Sequence, residues 1–330
     1  MLQSTHPTIS LDEHSASVDI HSVLDTCRYG VNVEYDNRRQ AGTLANEQGD
    51  YAAASALYAE GLSLYRDLDD ARGMARLHIN LGTVSKFQGD LERARAQYEA
   101  ALGLLRQRED DSLLALALNN LGSVAIDRGD NDRAAAALEE SLTLKHHTED
   151  PGGRIVTMIN LGEVARARGD LDRAVCLGEE ALALARTINA RRHIAHAHYN
   201  LGLAARARGS RDQAATAFQA GLTVEQELGN KRQIASLLEA LAPLAAGRGD
   251  PRRGGQLFGA AERLREQLGA PIPPVDLPAH DEDTSTVRAL LGPVGAAAAW
   301  AAGRSLPLEA AIGMALDEIP GSPAAAAHPS

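Results

Sequence analysis

The chain has 330 residues, 3% aromatics, 23% charged residues and a net charge of -11 at pH 7. An acidic balance with no run of like charge argues against partners such as nucleic acid or anionic lipid. Ala, Leu, Arg, Glu and Gln are abundant, a helix-forming composition with small-residue packing.

The opening stretch, MLQSTHPTISLDEHSASVDI, carries acidic residues and no apolar core. It is therefore not expected to be a signal peptide. Residues 1–30 are expected to be mostly disordered. Cys27 and Cys176 stand far apart, so no disulfide framework or CxxC metal spacing exists. Cys176 is expected to be a small buried hydrophobe. The apolar run near GPVGAAAAWAAG is shorter than a membrane span. A cytoplasmic location is expected.

From residue 31 the chain repeats. Gly-Asp falls at 49–50, 89–90, 129–130, 169–170 and 249–250, with Gly209-Ser210 in the remaining slot. Asn-Leu-Gly falls at 80–82, 120–122, 160–162 and 200–202. The step is 40 residues without insertion, which predicts six stacked helix hairpins over residues 31–270. In each unit a first helix, A, ends at the Gly and a second, B, begins at the Asp. Gly takes the positive φ that stops a helix, and Asp caps the next one. In the second unit Leu77, Leu81 and Val84 line helix A, and Ala94, Tyr98, Ala101, Leu102 and Leu105 line helix B. Gly122 and Gly162 are read as points where helix B presses on helix A. The fourth unit has Gly178 where the others have a bulky residue. The sixth is degenerate, with Pro243 in helix A and Gly254 in helix B.

The set Leu81, Gly82, Ala94, Tyr98 and Ala101, with Leu201, Gly202, Ala214 and Phe218 in the fifth unit, resembles the tetratricopeptide repeat in its 40-residue form. The resemblance implies an all-α, right-handed superhelical solenoid of six hairpin repeats. Beyond it, residues 271–283 read as a Pro-rich, acidic linker. Residues 284–319 read as capping helices, with Val287, Leu290, Leu291, Trp300, Leu308, Ile312 and Leu316 at helical spacing. Residues 320–330 read as a disordered tail. GAAERLREQLGAPIPP, VRALLG and AAAAWAAGRSLPLEAAIGMALDE resemble the tail that follows the repeats in actinobacterial signal-transduction ATPases of the LuxR or AfsR type. Those relatives carry a P-loop and a DNA-binding helix-turn-helix. This chain has neither; no GxxxxGK[ST] occurs in it.

One helix-A face collects the candidate site. Counted at about 100° per residue, Asn80 and Thr83 lie within about 40° of Arg76, and Phe87 within about 20°. The cognates are Leu116, Asn120, Ser123 and Asp127, then Val156, Asn160 and Glu163, then His196, Asn200 and Leu203. In the resembled family this face lines a concave groove, where Asn grips a peptide backbone. An amide offers both a donor and an acceptor, matching one peptide unit. The same Asn residues also suit a second role, bonding neighbouring helices to hold the stack. His193, His196 and His198 are read as packing and groove residues, because same-helix zinc pairs favour i,i+4. No GxSxG, HExxH or Cys–His pattern occurs, so no enzyme activity, metal or cofactor is expected. The expected partner is a protein or peptide, or a small effector, in intracellular signalling or transcriptional control. Three functions stay open at this point: a docking module, a small-molecule sensor, and a detached fragment of a larger regulator.

Overall fold

A computed structural model describes residues 38–46, 50–108, 110–272 and 276–317. The expectations for residues 1–30 and 320–330, and for Cys27 and Gly49, lie outside these residues. Every regular element among them is a helix. α1 spans 38–46, followed by α2 (Tyr51–Asp67), α3 (Ala71–Phe87), α4 (Leu91–Leu105), α5 (Asp111–Asp127), α6 (Asn131–His147) and α7 (Pro151–Ala167). Then come α8 (Leu171–Thr187), α9 (Arg191–Ala207), α10 (Arg211–Leu228), α11 (Lys231–Gly247), α12 (Pro251–Leu268), α13 (Leu277–Arg304) and α14 (Leu308–Leu316). Each odd-numbered helix from α3 to α11 packs on the next even one, and α3, α5, α7 and α9 also touch in sequence. This is an all-α repeat solenoid.

The turns have a local cause. Gly89, Gly129, Gly169, Gly209 and Gly249 all hold φ between 73° and 94°. Such values favour Gly, which has no Cβ to clash. Asp90, Asp130, Asp170 and Asp250 then accept the backbone N–H three residues on, at 2.9–3.2 Å. The turns between units use a second capping series that also keeps the 40-residue step. Asp70, Asp110, Asp150 and Asn230 accept in the same way, at 2.8–3.5 Å. Ser210 and Ala190 hold the matching positions without a side-chain cap bond.

Helix A and helix B meet through a glycine and a large side chain sixteen residues later. A Cβ on Gly82 would come within 2.6 Å of the Tyr98 ring, and one on Gly122 within 2.6 Å of Leu138 Cγ. Gly42 faces Tyr58 and Gly202 faces Phe218 in the same way. The residue after each glycine matches the knob. Thr83 donates to the Ile79 carbonyl at 3.0 Å, so its single proton is spent and the Tyr98 phenol donates to it at 3.1 Å. Thr43 serves Tyr58 likewise. Where the knob is Phe218 the residue is Leu203. The fourth unit departs. Gly178 replaces the knob and Leu201 of the next unit fills its place, 2.8 Å from a Cβ built there. Gly162 is therefore not under pressure, since its Cβ would meet nothing nearer than the Ala174 carbonyl at 3.5 Å. The expectation that helix B presses on Gly162 is corrected, while that for Gly122 stands.

Between units, arginines just past the ends of helices A reach acids in the first turn of the preceding helix B. The pairs are Arg128–Glu92, Arg168–Asp132, Arg208–Asp172 and Arg248–Asp212. They are solvated and screened, so they mark register more than they add stability.

The C-terminal end closes the stack. Gly255, Gly259 and Gly303 let α12 and α13 touch closely, and Trp300 stacks on Phe258 at 5.6 Å. α14 packs on α10, α11 and α12. Its last carbonyls accept from Arg253 and Gln219, which satisfies the open end of a helix. Three expectations change here. The span 271–283 is not linker throughout, because α13 begins at Leu277. Leu290 is 58% exposed rather than core. The buried stripe runs through Thr284, Val287 and Leu291, and beyond the kink at Gly292 (φ 66°) it resumes with Ala296, Ala299 and Gly303. Cys176 is exposed, on the outer face of α8, with its thiol 3.4 Å from Glu180 Oε1. The inward positions there belong to Ala174, Leu177, Gly178 and Ala181.

The glycine contacts make a paired prediction. Gly122→Ala should lower the thermal midpoint, with overpacking costing about 1–3 kcal/mol. Gly162→Ala should hold or raise it, since Ala gains about 0.8–1 kcal/mol over Gly in a helix interior. Equal shifts in the two melts would contradict the contact assignment.

Candidate functional site

The candidate residues occupy one register on α3, α5, α7 and α9. Asn80, Asn120, Asn160 and Asn200 are all half-buried, as are Thr83, Ser123, Glu163 and Leu203 one turn later and Arg76, Val156 and His196 one turn earlier. Leu116 is 41% exposed and Phe87 60%. Phe87 stacks on Tyr51, the first residue of α2, with ring centroids 6.0 Å apart. Thr83 is held by Tyr98, as described above.

The Asn ladder divides by unit. Asn160 Nδ2 donates to Asn119 Oδ1 at 3.4 Å, and Asn119 Nδ2 donates to Asn120 Oδ1 at 3.4 Å. Asn119 is buried and sits 3.0 Å from the Thr157 hydroxyl, which accepts from the buried Lys145 ammonium at 3.0 Å. Asn160 thus helps join the third and fourth units, while Asn120 bonds its neighbour on the same helix. Asn200 differs, because its Nδ2 is buried with no hydrogen-bond partner.

Sequence reasoning missed a further position on this surface, six residues after each Asn. It holds Lys86, Ile126, Arg166 and Arg206, again at the 40-residue step. Lys86 contacts the Ser123 hydroxyl and lies 3.1 Å from Asp127 of the next unit. Arg166 Nε is buried without a partner. Arg206 pairs with Asp283 of α13 at 2.7 Å. The signal was present as a periodic cation, but it lay outside the arc counted from Arg76.

Burial governs the electrostatics. It raises the Glu163 carboxyl above its ordinary value; Asp127 and Asp276 add to the rise, and Arg166 and Lys86 oppose it. It lowers His196 and pushes the Tyr199 phenol up to about 12. His78 Nδ1 lies 2.7 Å from Gln97 Oε1, bridging helix A to helix B. Among the described residues no three His, Cys, Asp or Glu side chains converge to hold a metal.

Of the cavities at the C-terminal end, two bear on the candidate face and its cap. One of about 130 Å³ lies between Arg166, Leu203 and Arg206 on one side and Ile272, Asp276 and Asp283 on the other. A larger one, about 580 Å³, lies between α12 and α13, lined by Phe258, Trp300, His280, Glu262 and Arg288. Arg288 stacks over Trp300 at 4.9 Å from the ring centroid.

The Glu163 shift has a definite sign. A carboxyl with a raised folded pKa binds its proton more tightly in the fold, so its ionisation destabilises the fold at higher pH. Glu163→Gln should be more stable than the unchanged chain at pH 8. The gap should narrow as pH falls toward the ordinary value of 4.5. Melts that differ by the same amount at pH 8 and pH 5 would contradict it.

Comparison with known proteins agrees with the architecture. A search of curated proteins finds no match. Among solved structures the fold resembles aspartyl phosphate phosphatase F from Bacillus subtilis at TM-score 0.62 and 14% identity, over 88% of this chain and 75% of that one. It also resembles a signal transduction ATPase with numerous domains and a tetratricopeptide repeat sensor from Pyrococcus horikoshii. There the TM-score is 0.62 and the identity 12%, over 84% of this chain and 43% of that one. BtubC from P. vanneervenii aligns at TM-score 0.54 and 18% identity, over 72% and 94%. At these identities the likeness is one of fold alone. The family description "MalT-like TPR region" matches residues 87–303, well over half of the sequence. On that match, the chain belongs to the MalT-like TPR family.

Proposed function

We propose that the chain is a non-enzymatic interaction module that holds a peptide or protein segment along the face shared by α3, α5, α7 and α9. The repeat body is residues 31–270, and 284–319 close its end. The observation that carries this reading is the pair of buried donors without partners, Asn200 Nδ2 and Arg166 Nε, on adjacent units of that face. A buried donor left unmade costs about 1–3 kcal/mol. A peptide carbonyl or carboxylate laid across α7 and α9 relieves that cost. The family match, and a fold shared with a protein whose repeats are described as a sensor, support a place in intracellular signalling or transcriptional control. No described helix is long and apolar enough to cross a membrane, which suits a cytoplasmic partner.

A second reading, sensing of a small effector, draws on the 580 Å³ cavity with its stacked Phe258 and Trp300. Small-molecule sites run to about 300–1,000 Å³. That cavity lies between α12 and α13, away from the Asn ladder.

A photo-cross-linking side chain placed at Ser123 or Glu163 should capture a partner from native lysate, whereas one at the outward-facing Thr143 or Glu180 should not. Replacing Asn200 by Ala together with Arg166 by Gln should weaken the captured partner about ten-fold or more, about 1.4 kcal/mol. Adducts confined to Thr143 and Glu180 would defeat the reading.

A further inference from the structure

The face described above is not open at its C-terminal end. The first turns of α13 lie across it. Asp283 pairs with Arg206 at 2.7 Å, and Asp276 faces Arg166 across the 130 Å³ cavity that both line. We infer that the start of α13 is an intramolecular stand-in for the partner, and that the partner is an acidic helical segment that docks when this start lifts away. The inference rests on the preceding proposal that this face is the docking face.

Three observations carry it. The first is a match of spacing. Asp276 and Asp283 are seven residues apart, which is about 10.5 Å of helix rise. Arg166 and Arg206 belong to neighbouring first helices, and packed helices lie about 8–10 Å apart. A helix crossing the fourth and fifth units with a carboxylate every two turns therefore meets Arg166 on one and Arg206 on the other. The overall charge of -11 provides no bulk attraction for an acidic partner, so recognition falls to these local cations.

The second is the shallow seat. Across Leu277–Asp283 only His280 and Asp283 are half-buried, and the other five residues are exposed. Firm anchoring begins at Thr284 and Val287, which are buried. Lifting the first turns therefore uncovers little apolar surface and leaves the cap on α12 in place. The third is the imperfect fit. With the stand-in present, Arg166 Nε and Asn200 Nδ2 remain buried and unpartnered. A segment that satisfies those donors as well outcompetes the resident one.

The probe is a fluorescein-labelled peptide of residues 276–286, DLPAHDEDTST, titrated by anisotropy into the full chain. It is compared with an Asp276→Asn, Asp283→Asn variant and with that variant also carrying Arg166→Gln and Arg206→Gln. Hydrogen exchange of amides 277–284 reads the latch without any ligand. In the Asn variant those amides should exchange at least ten-fold faster, with α9 and α11 unchanged. The peptide should bind that variant at least ten-fold more tightly than the unaltered chain, and a scrambled peptide of equal charge should not. The two Arg→Gln changes should abolish capture. Unchanged exchange would show that the start of α13 is no latch. Faster exchange without peptide capture would overturn the acidic partner alone, leaving the docking face to its cross-linking test. Capture indifferent to Arg166 and Arg206, or equal capture of the scrambled peptide, would also overturn the inference, and the former would count against the docking face as well.

Discussion

Where a helix-A glycine receives a large side chain sixteen residues later, the two axes of a hairpin come close enough to share a core. Gly82 under Tyr98, Gly122 under Leu138 and Gly202 under Phe218 are three copies of that contact. A hairpin of two short helices buries only part of its apolar surface, so each must stack on its neighbours. The glycine contact sets how helix B lies on helix A, and the stack inherits that geometry. It also constrains chemistry nearby. A tyrosine knob brings a hydroxyl into the core, and Thr43 or Thr83 accepts its proton. A leucine or phenylalanine knob brings none, and the cognate residue becomes Ser123, free to meet Lys86, or Leu203. In the fourth unit the knob is absent, and Glu163 stands half-buried where a threonine would have had a partner.

That departure falls beside the face that carries the polar residues. Arg166 and Glu163 of α7, with Asn200 of α9, form a stretch where burial outruns the hydrogen bonds made within the repeats, and Arg206 beside them finds its partner only in Asp283 of α13. Natural cores leave few buried polar groups unmade, and such exceptions call for an account. The units before it are better satisfied, through Lys86 with Asp127 and through the Asn119 network that reaches into α7. The acidic start of α13 approaches the same stretch from outside. The C-terminal cap thereby covers the last hydrophobic helices and part of the polar face together.

Much of this was legible in the residues. The unbroken 40-residue step, the Gly-Asp turns and the apolar face of each helix followed from spacing alone, because turns and helix faces are local properties. The Asn register was legible too, although not which amides join units and which stand unpartnered. That depends on Asn119 and Thr157, which meet only across two repeats. Cys176 misled because a small thiol fits either face of a helix, and the stripe through Ala174, Leu177 and Ala181 excludes it. Leu290 misled because its i,i+3 spacing from Val287 fits a helical face, but the buried stripe follows Thr284, Val287 and Leu291, about 100° away from it. The approach of Asp283 to Arg206 spans 77 positions and has no local signature.

The central claim is that a 40-residue unit, set by the glycine contact, is the element of construction. Removing residues 91–130 joins Asp90 to Asn131, lets Asp90 cap the helix that Asp130 capped, and places Leu138 over Gly82. Removing only residues 93–130 leaves two extra residues at the start of helix B and turns its apolar face by about 200°. Thermal unfolding of both proteins, followed by helical ellipticity, tests the claim. The first deletion should give a shorter protein of unchanged helical fraction with one cooperative transition, and the second a broad, early loss of structure. Equally sharp transitions in both, or loss of structure in the first alone, would contradict the account.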